Sequence, residues 1–155
     1  MTTLDLSSRL QRRGLELPAV PKPTGNYRAA KRAGNLVFTS GQTARINGVR
    51  HYVGKVGADV TDEDAYHSAR LSFLNCLASA AWAAGGLEHV RDVIAITGYV
   101  NCVDGYEKQP AAINGASDLV EKLFGEAGAH ARTAVGVNAL PFNVSVELSV
   151  VFEVE

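Results

Sequence analysis

Val144-Ser145-Val146-Glu147-Leu148-Ser149-Val150-Val151-Phe152-Glu153-Val154 alternates apolar with mainly polar residues without a break. A period of two belongs to a β-strand with one buried face. Val144, Val146, Leu148, Val150, Phe152 and Val154 therefore form a core face, and Ser145, Glu147, Ser149, Val151 and Glu153 lie on the other. A strand so one-sided needs a cover, and the rest of the chain supplies two helices for it.

Thr61-Asp62-Glu63-Asp64 reads as a helix start, with a capping threonine and acids in the first turn. The helix should run to Ala84 and stop at Gly85, with Tyr66, Ala69, Phe73, Leu77, Ala80 and Ala84 as one apolar stripe. Val93 to Val103 is nearly continuously apolar, as in the centre of a sheet. Pro110 suits the first position of a second helix that carries Ala112, Ala116, Leu119, Leu123 and Phe124 and ends at Gly125. Thr133 to Val137 is a further strand. Upstream, Tyr27–Arg32 and Leu36–Ser40 flank a turn at Ala33-Gly34-Asn35, and Asn47-Gly48 predicts a smaller hairpin between Ala44 and Tyr52. Asp5 can cap a short helix bearing Leu6 and Leu10, stopped by Gly14 and followed by Pro18, Pro21 and Pro23. The division is an N-terminal helix and Pro-rich connector over 1–24, then one domain over 25–155. The order of elements predicts an α+β fold, a mixed sheet with two helices packed on one face. Val151 and the small residues on the second face would be poorly covered in a monomer, for which self-association is the simplest answer.

The 155 residues carry 15 Lys+Arg against 16 Asp+Glu, a net charge of -1 that argues against nucleic acid and anionic membranes as partners. Arg9, Arg12 and Arg13 on the first helix read as a solvated face. Hydrophobic content of 46% with 20% charged residues excludes a disordered class. Met1 to Leu6 carry no basic region or apolar stretch of leader type, and no run is long enough for a membrane span, so a cytoplasmic protein is expected. Cys76 and Cys102 read as buried thiols of a reducing compartment. His51, His67, His89 and His130 are scattered without metal-ligand spacing, and no metal or organic cofactor is expected. GxGxxG, P-loop and GxSxG patterns are absent, which leaves nucleotide-cofactor and acyl-serine chemistry unsupported.

Arg132 precedes Thr133, Val135 and Val137. If those residues point at the helices, strand parity sends Arg132, Ala134 and Gly136 to the opposite face, a guanidinium above side chains too small to fill space. Glu147 would share that face on the terminal strand. The pair is either a surface cross-strand ion pair or a site in which an arginine fork holds a carboxylate and a glutamate positions a water.

Gly25-Asn26-Tyr27, Gly34 through Gln42 (Gly-Asn-Leu-Val-Phe-Thr-Ser-Gly-Gln), Ala131-Arg132-Thr133-Ala134-Val135, Leu140-Pro141 and Val146-Glu147 together resemble the RidA/YjgF family, also called endoribonuclease L-PSP. Asn75 through Gly85 fits as well. The resemblance spans Gly25 to Val154. It implies a chorismate-mutase-like fold, a homotrimer with clefts between subunits, and hydrolysis of enamine or imine intermediates such as 2-aminoacrylate to 2-keto acids and ammonia. By resemblance Arg132 binds the substrate carboxylate and Glu147 orients the attacking water. Tyr27, Ser40, Gly41 and Asn114 line the cleft, with Ala134 beside them. The implied partner is a small imino or keto acid. The alternatives are a non-catalytic trimeric binder of small carboxylates and, from the older family label, a ribonuclease or translation inhibitor.

Overall fold

The structure, a computed structural model, describes residues 5–155; Met1 to Leu4, read above for a leader, lie outside the described residues. In chain order the elements are α1 (Leu6–Arg12), β1 (Ala30–Ala33), β2 (Leu36–Thr39), β3 (Arg45–Ile46), β4 (Val49–Arg50), α2 (Asp62–Ala84), β5 (Val90–Asn101), α3 (Gln109–Phe124), β6 (Ala131–Val137) and β7 (Val146–Val154). Five strands form a mixed sheet in the order β1-β2-β7-β5-β6, and β3 with β4 forms a separate hairpin. β5 and β6 run parallel, joined by the α3 crossover, while β7 lies antiparallel between β2 and β5. Every predicted element is present, with ends moved by a few residues. No described helix is long and apolar enough to cross a membrane.

β7 shows the burial its alternation predicts, with Val146, Leu148, Val150, Phe152 and Val154 all buried. Phe152 meets Phe73 of α2 with ring centroids 6.0 Å apart. α2 covers β1, β2 and β7, and α3 covers β5 and β6. The Thr61 hydroxyl accepts from the Asp64 N–H at 3.1 Å, and Gly85 closes the helix in the left-handed region at φ 87°. Replacing Thr61 with Ala should cost about 1 kcal/mol, measurable by urea denaturation.

α2 departs from the single-stripe expectation. Ser68, Ser72, Asn75 and Ser79 are buried along with the apolar residues, because the sheet, α3 and the β3–β4 hairpin enclose the helix from several sides. Ser68 accepts from the Ser145 hydroxyl, Ser72 donates to the Ser68 carbonyl, Ser79 to the Asn75 carbonyl, and the Asn75 amide nitrogen to the carbonyls of Thr43 and Arg45, while Asn75 Oδ1 is left without a partner. Two close approaches fix the α3 side. Gly98 of β5 lies under Ile113, and Gly115 lies against the Tyr66 backbone carbonyl, where a Cβ would come within 1.8 Å of the oxygen.

α1 packs on α3 of its own chain, burying Leu6 and Leu10 in the main core, and Arg9 donates to the Leu123 carbonyl at 2.7 Å. The sheet's second face stays open among the described residues. Phe38, Val135 and Ile94 are 47%, 40% and 39% exposed there.

Candidate functional site

The bridge between Gln42 and Leu148 seats Gly41 directly over Glu147. A Cβ on Gly41 would sit 2.7 Å from Glu147 Oε1, so any side chain here would push the glutamate out of its present position. Glu147 occupies the sheet face away from the helices and lines an open cavity of about 120 Å³ with Tyr27, Gly41, Arg45, Arg50 and Phe142. Burial pushes its carboxyl above the usual 4.5, since no hydrogen bond or nearby cation offsets the lost hydration. That is the state of a group ready to take up a proton or hold a water. The linkage has a definite sign: the folded state holds this proton more tightly, so folding stability from this group falls as pH rises from 4.5 through the raised value. Glu147→Gln should therefore melt higher than wild type at pH 7 and lose that advantage at pH 4, as differential scanning fluorimetry would show.

Ser40 is next to this cavity in sequence, but its hydroxyl is committed to the Arg28 carbonyl at 2.6 Å. It ties the β2 end to the preceding loop. Tyr27 is exposed, in the loop before β1, with its hydroxyl 3.4 Å from Thr24 Oγ1.

Arg132 lies elsewhere. Its Nη1 donates to Asn114 Oδ1 at 2.7 Å and to Ser117 Oγ at 3.2 Å, both on α3. Arg132 therefore points to the helix side of β6, and the parity reading above is reversed. The reason is that β6 is an edge strand beneath a close helix. Ala134 and Gly136 are small because α3 and Gln109 press on that side, whereas Thr133 and Val135 face the open side and are exposed. β-Branched residues on an edge strand signal propensity more than inward direction.

Ser117 and His130 were not anticipated. Ser117 Oγ and His130 Nε2 are 2.9 Å apart, and His130 Nδ1 lies 2.6 Å from the Gly128 carbonyl, which can only accept. In the neutral ring Nδ1 donates, and Nε2 accepts the proton of Ser117, whose oxygen in turn accepts from Arg132. The three-residue step from Asn114 to Ser117 on one helix face was the available signal, legible only once Arg132 is known to face α3.

The expected residues thus form two groups. Tyr27, Gly41 and Glu147 share one cavity; Asn114 and Arg132 form the other cluster, with Ala134 on the same side of β6. Glu147 pairs with Tyr99, which pairs with Val135, so Arg132 sits two strands over and three residues along. That separates their Cα atoms by roughly 14 Å, with side chains on opposite faces. No small molecule can touch both within one chain. Among the described residues no group of histidine, cysteine and carboxylate side chains has the arrangement to hold a metal. Cys76 is buried in α2, its thiol pushed to about 12 by burial, and Cys102 is buried at the end of β5.

A sequence model described as "YjgF/chorismate_mutase-like, putative endoribonuclease" matches residues 7–154. The chain belongs to this YjgF family. Among YjgF relatives, protein TCP17 of Trypanosoma cruzi is 35% identical, over 96% of this chain and 93% of its own. The crystal structure of Atu1372 from Agrobacterium tumefaciens, described as of unknown function, superposes with TM-score 0.89 at 39% identity, covering 97% of this chain and 92% of that one. A Shewanella oneidensis structure named as a putative endoribonuclease gives 0.91 at 35%, covering 96% and 99%. TdcF of E. coli, solved with bound serine, gives 0.65 at 26%, covering 90% and 96%. The high scores against the first two structures extend over the N-terminal helix and connector that precede the core YjgF motifs.

Proposed function

We propose that this protein hydrolyses the imine or enamine forms of small 2-amino acids, such as 2-aminoacrylate, to 2-keto acids and ammonia. The reaction takes place in clefts between the copies of a homotrimer. One copy supplies Arg132, held by Asn114 and Ser117; the next supplies Glu147, Gly41 and Tyr27. The observation that carries this reading is the separation of Arg132 from Glu147 on opposite faces of one sheet, each with hydrogen-bonding capacity to spare. The open apolar face around Phe38 and Val135 supports association of copies.

The chemistry needs few groups. Arg132 Nη1 is engaged, and the other guanidinium N–H groups remain for a carboxylate fork. Once its nitrogen is protonated, the imine carbon is electrophilic. A water held and deprotonated by Glu147 adds to that carbon, the proton passes to nitrogen, and the C–N bond breaks to leave keto acid and ammonia. Water is the only co-reactant. The serine bound by TdcF has the size and carboxylate of such a substrate.

The test supplies 2-aminoacrylate from a generating enzyme and follows keto-acid release with purified protein. Acceleration that falls about tenfold or more in Arg132→Ala supports the proposal; none at stoichiometric protein rejects it. Stabilisation by a keto acid without turnover would instead mark a carboxylate-binding protein. The ribonuclease reading draws on the names of relatives and on Arg9, Arg12, Arg13, Arg70 and Lys122, which share one shallow depression on the helix layer. It requires RNA cleavage that falls steeply with salt.

A further inference from the structure

We propose that the cavity over Glu147 contains a second anion-binding subsite, formed by Lys22, Arg45 and Arg50. The compound processed there would then carry another acidic group besides the carboxylate held by Arg132. The inference rests on the between-subunit site proposed above and specifies what that site accepts.

Lys22, Arg45 and Arg50 line the cavity, and Glu147 is the one acid among its described lining residues. None of the three cations is in an ion pair among the described residues. Nor is their charge spent on Glu147, whose carboxyl is moved upward by burial with no cation pulling it back. Their positive charge is left without a counter-ion at the cavity they line.

The hairpin maintains this at a cost. Arg45 of β3 is the direct cross-strand partner of Arg50 of β4, an arrangement in which like charges destabilise a pair of strands. Arg45 Nε is buried without a hydrogen-bond partner, although its backbone carbonyl is fixed by the Asn75 amide. A buried guanidinium N–H without an acceptor is unfavourable unless something fills the place. Arg50 is fixed from the other side, its guanidinium carbon 3.8 Å above the Phe142 ring. Phe142 is exposed and holds a left-handed backbone at φ 58°, as does Asn143 at 57°. A bulky residue rarely adopts that conformation, and here it supplies a platform that leaves the edge of the Arg50 guanidinium free for hydrogen bonds. Two arginines and a lysine without a counter-ion, lining the same cavity as the acid proposed to activate water but not paired with it, fit a carboxylate or phosphate on the far end of the substrate.

The experiment is calorimetric binding at fixed ionic strength of three stable keto acids: 2-ketobutyrate with one anionic group, 2-oxoglutarate with two carboxylates, and 3-phosphohydroxypyruvate with a carboxylate and a phosphate. The proteins are wild type, the K22Q/R50Q double variant, which keeps Arg45 and the tie of its backbone carbonyl to Asn75, and Arg132→Ala. Wild type should bind at least one of the two-anion compounds about tenfold more tightly than 2-ketobutyrate. The preferred one identifies the second group. In K22Q/R50Q that ratio should fall to near one. Equal affinities in wild type, or a preference that survives K22Q/R50Q, would overturn the subsite while leaving the proposed reaction in place. Keto-acid binding that is indifferent to Arg132→Ala would instead overturn the site on which the subsite rests, and binding of none of the three would overturn both.

Discussion

Mixing Arg132→Ala chains with Glu147→Gln chains raises activity well above that of either variant alone; this is the expected result if each cleft draws on two copies. Alone, Arg132→Ala loses charge-assisted hydrogen bonds to the substrate, worth roughly ten- to a hundredfold in kcat/KM. Glu147→Gln removes the group that deprotonates water, an effect of about a hundred- to ten-thousandfold in kcat. In a closed ring assembled at random from equal amounts of the two, about one cleft in four joins an intact Arg132 to an intact Glu147. Unfolding and refolding the mixture together should therefore return about a quarter of wild-type turnover, read by keto-acid release. A site contained within one chain would give no recovery. The single-chain geometry already argues against that outcome, since the guanidinium and the carboxylate lie on opposite faces of the sheet.

The largest effect on stability is expected from the α2–α3 contact. Gly115→Ala places a methyl where the Tyr66 carbonyl oxygen stands, and both partners are helix backbone with no rotamer to change. The helices must move apart, which loosens Ile113 over Gly98 and the hydrogen bond of 2.7 Å from the Tyr66 hydroxyl to Asp118. The cost should be about 3 kcal/mol, the upper end for overpacking of a filled interior. Urea denaturation checks it, with Gly105→Ala as a left-handed turn control at which an added Cβ meets nothing and only backbone strain is paid. A loss in Gly115→Ala no larger than in the control would show that the helix crossing does not decide.

The fold was readable because its signals are local. β7 alternates without a break, Thr61 and Gly85 mark both ends of α2, and Asn47-Gly48 forms its turn with positive φ at both residues, 50° and 80°. Glu147 was placed correctly for the same reason, since a fully alternating strand leaves no doubt about its faces. Arg132 was not. On β6 the pattern of Thr133, Val135 and Val137 resembles an inward face, yet the direction is set by the closeness of α3, a contact distant in sequence. Burial all round α2 was also hidden, because it comes from a hairpin and a neighbouring helix that no period within α2 reports. The roles of Ser117, His130, Arg45 and Arg50 follow only from the neighbours that tertiary structure brings to them.

Leu6 and Leu10 of α1 are 2% and 4% exposed, inside the same core as Phe73 and Phe152. The helix ahead of the proline-rich stretch is accordingly a plug and not an appendage. A chain trimmed to the region carrying the family motifs would open a void large enough to unsettle α3, the helix that holds Asn114 and Ser117 against Arg132. Losing each leucine would sacrifice about 2 to 5 kcal/mol, so a truncated protein that fails to work would report a missing plug before it reported anything about chemistry.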